Sequence, residues 1–256
     1  MALGSCAGPP PPAPPAPGPS EAWVAPEAAR LRAALAAEVP QHTVCGPDPE
    51  QSWIAPVRAA VTFARAVIDR PQLIVAVDRN PARQRMCLLL ARPRDPWEAL
   101  GGSTVSTGQS GRRGYFITPT GVFVHAPAII DYRAEGTFNE NHVRGLGAKG
   151  MRVWDFGWQP ADKGWPSNET SGEIRLLLHA TDPDQLEQRL GRPASKGCIR
   201  VPAAMNRFLD HYGILDATYE QAAAGDARLR AVLAPDRAPT LLAGDLLVVI
   251  DSAARP

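Results

Sequence analysis

The sequence lacks the features that mark several large functional classes. No apolar run approaches the roughly 20 residues that a membrane-spanning helix needs. The net charge is only +1, so the composition gives no reason to expect nucleic acid as a partner. Neither a phosphate-binding glycine loop nor an internal repeat is present. What remains is a chain of 256 residues, 45% of them hydrophobic, which is enough for a sizeable core.

Cysteine is also scarce, and the four cysteines show no metal-binding pattern. Cys6, Cys45, Cys87 and Cys198 form no CxxC pair and have no Cys/His spacing typical of zinc sites, so no metal site is predicted. Cys87 lies in the apolar run RMCLLLA and is predicted to belong to the core. In an oxidising compartment Cys45 could form a disulfide, whose partner the sequence does not identify.

Proline, by contrast, is abundant and unevenly spread. Many of the 27 prolines fall in residues 8–20, which we predict to be an extended linker without a core. The preceding residues LGSC resemble the end of a bacterial lipoprotein signal, with Cys6 as the lipidated residue; the alternative is a chance cysteine. Because a proline-rich spacer can act as a tether, residues 1–20 are predicted to be a disordered tail and, in the first interpretation, a lipoprotein remnant.

The rest of the chain divides into two regions with different sequence patterns. Residues 21–71 are predicted to form a helical arm, because 26–39 and 55–69 are rich in Ala, Leu and Arg with apolar positions three and four apart. From residue 72 onward, short runs of β-branched and apolar residues are punctuated by glycine and proline, which is typical of a sandwich or barrel. One helical insertion, 203–225, interrupts this mainly β region. The strand candidates are QLIVAVD, QRMCLLLARP, STVSTG, GYFITPTGVFVHAP, GEIRLLLHA, KGCIRVP and GDLLVVID.

Two residues with complementary chemistry stand at the ends of strand candidates. His179 ends the apolar run EIRLLL, and Cys198 follows a polar loop in the segment SKGCIR. A cysteine attacks as its thiolate and needs a base or a lowered pKa, and histidine is the usual base. Because a loop of this length can bring two strand ends together, we predict that His179 is the base and Cys198 the nucleophile.

The residues around the thiol favour the same interpretation. Gly197 lets the backbone approach a substrate closely, and its neighbourhood can present N–H groups to a developing oxyanion. Arg200 lies two residues after Cys198, on the same face of a strand. Its charge there would favour the thiolate and could hold a substrate carboxylate.

These motifs resemble those of the L,D-transpeptidases, bacterial cell-wall enzymes with a catalytic YkuD domain. Histidine, a loop and then S-x-G-C-I-R, which begins here at Ser195, is similar to the family motif. The segment STG at 106–108 resembles a strand of the family, TPTG at 118–121 resembles its T-P-x-G turn, and the closing run LLAGDLLVVID resembles its final strand. The resemblance extends over about 72–251 and implies a mainly β, YkuD-like sandwich or barrel as the catalytic domain, residues 72–256, with the helical insertion after the catalytic cysteine.

The resemblance implies an activity on the peptide stems of peptidoglycan. Cys198 would attack the carbonyl before the terminal D-alanine of a tetrapeptide stem, and the resulting thioester would pass to an amine, without a metal or organic cofactor. Two alternatives stay open: a carboxypeptidase that gives the same thioester to water, and a wall-binding module with a weakened site. The family implies the periplasm or cell envelope as the location. The sequence carries no signal of an oligomeric state.

Lys196 departs from the family pattern, which has a histidine directly before Gly-Cys. The family base is the earlier histidine, here His179, so the predicted pair of nucleophile and base is retained. At neutral pH a lysine cannot accept a proton unless it is strongly desolvated. As a cation, Lys196 could lower the pKa of the thiol, bind a peptide carboxylate, or simply be solvated.

The family also implies a partner for the second ring nitrogen of the histidine. It is a backbone carbonyl just after the histidine, which is that of Ala180 here. Asp182 and Asp184 are alternative acceptors, although aspartates in loops are mostly turn-formers. Trp154, Trp158 and Trp165 are predicted to line a substrate groove, with core packing as the alternative for at least one of them.

Overall fold

The computed structural model describes residues 21–94 and 96–254 as two β-sheets with helices packed around them. This confirms the predicted mainly β fold. The proline-rich segment and Cys6, with the interpretations attached to them, lie outside the described residues. Among the helices of the described ranges, none is both long enough and apolar enough to cross a membrane.

The larger sheet has six strands, and its central strands are covered on both faces. They are buried apolar runs without alternation, which is typical of such strands. The strands are β1 (His42–Thr43), β2 (Gln72–Asp78), β3 (Arg85–Ala91), β4 (Glu98–Thr104), β5 (Gly121–Val124) and β10 (Leu246–Ile250). Across the sheet they lie in the order β1-β4-β3-β2-β10-β5, with β2 and β10 parallel and the other neighbours antiparallel.

The smaller sheet has four strands and carries the predicted site. They are β6 (Tyr132–Arg133), β7 (Arg152–Asp162), β8 (Ser171–Ala180) and β9 (Ile199–Val201), which lie in chain order across the sheet. The first two pairs of neighbours are antiparallel, whereas β8 and β9 are parallel. Because the short β9 pairs in parallel with the last three residues of β8, Cys198, just before β9, lies beside the carboxyl end of β8, where His179 stands.

Helices surround both sheets. They are α1 (Val24–Glu38), a π-helical turn (Glu50–Ile54), α2 (Ala55–Phe63), a 3-10 turn (Glu187–Arg189), α3 (Ala203–His211), α4 (Ala217–Ala223) and α5 (Ala227–Val232). The main core lies between the two sheets and includes apolar side chains of α1 and α3, among them Met205, Phe208 and Leu209 of α3. A second core lies on the outer face of the larger sheet, beneath α2.

The segment predicted to be a helical arm is built into both cores. Leu31 and Leu35 of α1 are buried in the main core, and Val57 and Val61 of α2 are buried in the outer one. The strand β1, which the prediction did not include, pairs with β4 inside the same sheet.

A disulfide joins this N-terminal region to the sheet. Cys45 pairs with Cys87 of β3, with their Cα atoms 5.8 Å apart. The prediction that Cys87 is a core residue is confirmed, since it is fully buried. The sequence had left the partner of Cys45 open.

Several predicted boundaries were wrong. The second helix ends at Phe63 instead of continuing to residue 69, because Arg65 adopts a left-handed conformation with φ of 54°. The predicted helical insertion is two helices broken at Gly213, which has a positive φ of 58°. The eleven-residue strand β7 was not predicted at all.

Candidate active site

The strands β8 and β9 place the predicted pair on one face of the smaller sheet. The register aligns Leu178 with Ile199 and His179 with Arg200. Cys198 directly precedes β9, so it lies across from Leu177. Since side chains alternate between faces, His179, Cys198 and Arg200 project from the same face. The structure therefore brings together the three residues that carry the predicted chemistry.

The threonine of the TPTG turn holds the loop before the cysteine in place. The Thr118 hydroxyl donates to the Gly197 carbonyl at 2.7 Å and accepts from the Gly108 N–H at 2.8 Å. A Cβ at Gly108 would lie 2.0 Å from the Phe116 carbonyl oxygen, so only glycine fits there. The three motifs that looked separate in the sequence thus form one hydrogen-bonded unit around the nucleophile.

The loop itself requires a glycine before the cysteine. Gly197 has a φ of 130°, which other residues rarely adopt, and a Cβ there would lie 2.7 Å from Ile174. Its N–H donates to the Ser195 hydroxyl oxygen at 3.1 Å, and that hydroxyl donates to the Cys198 carbonyl at 2.6 Å. Ser195 therefore folds the loop, and the N–H of Gly197 is already engaged.

His179 is held as a neutral ring with one nitrogen available. Its Nδ1 lies 2.7 Å from the Ala180 carbonyl oxygen, which can only accept, so Nδ1 carries the proton. Burial, and then the charge of Arg200, lowers the pKa of His179 to about 4, against the opposing effect of the Ala180 carbonyl. At neutral pH the unprotonated Nε2 can therefore accept a proton.

Cys198 is a protonated thiol in the resting site. Burial raises the pKa of the thiol, and Asp155 acts in the same direction, whereas the Leu177 N–H and Arg200 act to lower it. Its Sγ lies 3.9 Å from the Arg175 carbonyl oxygen, at the distance of a weak thiol donor. Hydrogen bonds between catalytic groups are often long before substrate binds, so this position is compatible with transfer of the proton to His179. Among the described cysteines, Cys198 alone is a free thiol.

Arg200 acts on both members of the pair. Its charge lowers the pKa of the His179 ring and also the pKa of the Cys198 thiol. The buried Nε has no hydrogen-bond partner among the described residues, and Nη1 makes only a 3.4 Å contact to the Ala194 carbonyl. A guanidinium with unused donors is suited to binding a carboxylate.

The side chain of Lys196 lies near the ring of Tyr115. Its side chain is exposed, and Nζ lies 5.8 Å from the centre of the Tyr115 ring. The charges that act on the Cys198 pKa come from Arg200 and Asp155. The position of Lys196 therefore favours contact with a ligand over activation of the thiol.

Asp182 and Asp184, the alternative acceptors for the histidine, have another partner. The Arg144 guanidinium contacts Asp182 at 3.4 Å and Asp184 at 2.5 Å, and the Arg144 N–H donates to Asp182 at 2.6 Å. These contacts fasten the segment after β6 to the turn that follows His179.

The three tryptophans of the predicted groove have different environments. Trp154 is fully buried in the main core, as core packing predicts for at least one of the three. Trp165 packs edge-on against Phe116, with ring centres 5.1 Å apart. Trp158 is 65% exposed and pairs in register with Arg175, on the strand whose backbone contacts the thiol.

The structure adds neighbours of the thiol that the sequence did not reveal. Burial raises the pKa of Tyr132, and the charges of Asp155 and Cys198 add to this effect, which places its phenol near the nucleophile. Arg175 donates to the buried Asp155 at 2.6 Å. No sequence motif identifies Tyr132, Asp155 or Arg175. They lie on three different strands, β6, β7 and β8, which come together only in the folded sheet.

A cluster of one histidine and two aspartates resembles a metal site but holds an arginine instead. The ligand atoms of His125, Asp131 and Asp216 lie within 4.8 Å of one another. The Arg152 guanidinium contacts Asp131 at 2.7 Å and Asp216 at 3.4 Å. Because this cation already neutralises the carboxylates, the cluster is a buried ion-pair network.

Comparison with known families agrees with this geometry. The family model for the YkuD L,D-transpeptidase catalytic domain matches residues 74–218, more than half of the chain. The protein therefore belongs to the YkuD L,D-transpeptidase family, which confirms the resemblance predicted from the motifs.

Comparisons with individual proteins add no further evidence about the activity of this chain. None of the curated proteins compared with the chain matches it. A solved structure from Clostridium acetobutylicum, described as a fused Zn-dependent amidase/peptidase/peptidoglycan-binding domain-containing protein, shares 15% identity and a TM-score of 0.28. The match covers 80% of this chain and 64% of that one, so the chain spans less than two thirds of the matched protein.

Proposed function

We propose that the protein is a cysteine-dependent L,D-transpeptidase acting on the tetrapeptide stems of peptidoglycan. The observation that carries the proposal is the arrangement of His179: one ring nitrogen is bonded to the Ala180 carbonyl, and the ring shares a sheet face with Cys198 and Arg200. This arrangement supplies a base, a nucleophile and a cation within a family of cell-wall enzymes.

In the first half of the reaction, the thiol attacks the carbonyl carbon before the terminal D-alanine. The Cys198 proton passes to Nε2 of His179 as the carbon–sulfur bond forms. When the tetrahedral intermediate collapses, the carbon–nitrogen bond breaks and His179 returns the proton to the leaving amine. The products are free D-alanine and a thioester on Cys198.

In the second half, an amine of another stem, such as the side chain of a diaminopimelate residue, attacks the thioester carbonyl. His179 accepts a proton from the attacking nitrogen and delivers it to the departing sulfur. A new amide forms and the thiol is regenerated, so the net reaction exchanges one amide bond for another and consumes no cofactor.

The neutral resting pair is consistent with this sequence of steps. Since the pKa of His179 is about 4, the ring is neutral and its Nε2 is unprotonated over the whole physiological range. Since burial raises the pKa of Cys198, the thiol keeps its proton until a substrate is in place. Proton transfer and attack are then coupled, which limits side reactions of a free thiolate.

The periplasm or cell envelope is the location we propose. The disulfide between Cys45 and Cys87 supports an oxidising compartment, because reducing compartments rarely keep structural disulfides. An anchor at Cys6 is a further proposal, which fractionation of cells expressing wild type or Cys6→Ser tests. If Cys6 carries the anchor, wild type should be found in the membrane fraction and the Cys6→Ser variant should not.

Product analysis tests the activity. Purified disaccharide tetrapeptide is incubated with the protein and separated by chromatography with mass detection. Cross-linked dimers together with free D-alanine are the expected products, and Cys198→Ala, with a melting temperature near that of wild type, should form neither. Tripeptide without dimers would identify the hydrolase alternative, and an unchanged substrate would contradict the proposal.

A further inference from the structure

A wide basin next to the loop before Cys198 has six cationic residues in its lining. Its volume is about 960 Å³, and it opens between the segment after β4, the segment after β6 and the loop between β8 and β9. Glu140 is the one acidic residue among its described lining residues. The cations that line it are Arg112, Arg113, Arg189, Arg192, Lys196 and Arg200.

This concentration of charge is local and uncompensated. The whole chain carries a net charge of only +1. Elsewhere, buried arginines such as Arg152 and Arg237 contact two or more carboxylates each. Within residues 21–94 and 96–254, the basin cations form no ion pair. A concave surface with one sign of charge concentrates ligands of the opposite sign.

Arg200 belongs both to the basin and to the sheet face of Cys198. Tyr115 on its wall is contacted by Arg112, whose guanidinium lies 4.5 Å from the ring centre, and by Lys196 at 5.8 Å. Deeper in, Arg200 has a buried Nε without a partner among the described residues, and its charge acts on the Cys198 pKa. A ligand lying in the basin would therefore meet several cations, one of which, Arg200, acts on Cys198.

We propose that this basin binds the free carboxylates of an acidic stem peptide, so that the enzyme selects stems with free carboxylates over amidated stems. The inference rests on the proposed function, because it concerns the substrate of the same site. A peptide is favoured over a phosphate polymer because Arg200, which lines the basin, also acts on Cys198, where a peptide carbonyl has to be placed. The outer arginines would contact carboxylates of the glutamyl and diaminopimelyl residues.

The test compares two chemically defined substrates. The disaccharide tetrapeptide with free carboxylates and its amidated analogue are assayed for kcat/KM in low salt and in 0.5 M salt. Wild type should prefer the free-carboxylate stem by about 10-fold in low salt, and salt should reduce the preference because the basin cations are exposed. Arg189→Gln/Arg192→Gln should raise KM for that stem by about 10-fold, with little change in kcat or in KM for the amidated stem.

A matched control removes the same charge elsewhere. Arg32→Gln/Arg228→Gln takes two positive charges from α1 and α5, outside the basin, and should leave the preference intact. Alkylation by neutral iodoacetamide should proceed alike in all variants, which shows that Cys198 is undisturbed. Equal kcat/KM for the two stems in wild type, or equal losses in both double variants, would overturn the inference while leaving the transpeptidase function standing.

Binding to a variant that cannot react separates the two proposals. Calorimetry with Cys198→Ala measures affinity for both stems and for a glycerol-phosphate oligomer without requiring turnover. Tighter binding of the free-carboxylate stem supports the inference even if wild type turns over neither stem, a result that would contradict only the proposed function. Preferential binding of the phosphate oligomer, or equal binding of the two stems, would overturn the inference.

Discussion

The molecule contains two fully buried histidines whose surroundings have opposite effects. His179 lies beside the Arg200 cation and has one ring nitrogen bonded to a carbonyl, and its pKa falls to about 4. His125 lies between the Asp131 carboxylate at 2.9 Å and the Leu215 carbonyl at 2.7 Å. Burial opposes its charge, but Asp131 and Asp216 outweigh burial and raise the pKa of His125.

The difference shows that burial alone does not decide what a histidine does. Both ring nitrogens of His125 face acceptors, an arrangement that favours the protonated ring and leaves neither nitrogen free for chemistry. His179 has a single acceptor beside it and a cation nearby, so it stays neutral with one free lone pair. The first arrangement holds two structural segments together, and the second provides a base.

The largest effect should come from removing the structural histidine. His125→Ala leaves buried Asp131 with one fewer partner and should lower the free energy of unfolding by about 3–5 kcal/mol. His125→Gln, which keeps one donor, should lose less, and exposed His42→Ala should change the value by under about 0.5 kcal/mol. Denaturant titration measures these changes. A loss of activity per folded molecule in His125→Gln would contradict the purely structural role that distinguishes His125 from His179.

The pH dependence of this loss has a defined sign. The folded-state pKa of His125 is raised above its unfolded value, so its stabilisation is complete below the unfolded pKa, about 6.5. It disappears as the pH rises through the folded-state pKa. The difference between wild type and His125→Ala should therefore be larger at pH 6 than at pH 10.

Removing the catalytic histidine should affect rate instead of stability. His179→Ala should slow acylation of Cys198 by at least about 10²-fold, the usual contribution of a positioned general base. In wild type, kcat/KM should fall only as the pH drops through the His179 pKa of about 4. Stopped-flow acylation with a carbapenem and a pH profile with stem peptide are the measurements. A wild-type rate in the variant would assign the base to another residue.

The smallest effect concerns the two cations near the thiol. Lys196→Met should leave the pH dependence of iodoacetamide alkylation at Cys198 superimposable on wild type, because Lys196 lies over Tyr115. Arg200→Met should shift the curve to higher pH, because Arg200 lowers the pKa of the thiol. Measuring both in a Cys6→Ser background keeps a single free thiol. A shift in the Lys196 variant would restore the thiolate role for that residue.

The sequence predicted the elements whose pattern is local. The apolar runs of β2, β3 and β10 predicted buried strands. The histidine–cysteine motif, together with the upstream STG and TPTG segments, indicated the family. The strand β7 escaped prediction because it is buried along its first half and interrupted by a bulge near Gly157, so it shows no regular alternation.

Other features depend on contacts between distant segments. The partner of Cys45 follows from the position of β3 in the sheet, and the opposite states of the two histidines follow from which charges pack against each ring. The cationic basin combines Arg112 and Arg113 with Arg189 and Arg192, residues far apart in the chain. No single stretch of sequence contains that information.

Intact-mass analysis of the protein after mixing with disaccharide tetrapeptide tests the central claim most directly. Wild type quenched in acid should carry one added acyl group, the substrate less its terminal D-alanine, and peptide mapping should place it on Cys198. Cys198→Ala should carry none, and His179→Ala should accumulate it at least about 10²-fold more slowly. An equal adduct in the Cys198→Ala variant, or no adduct on folded wild type whose Cys198 still reacts with iodoacetamide, would contradict the account.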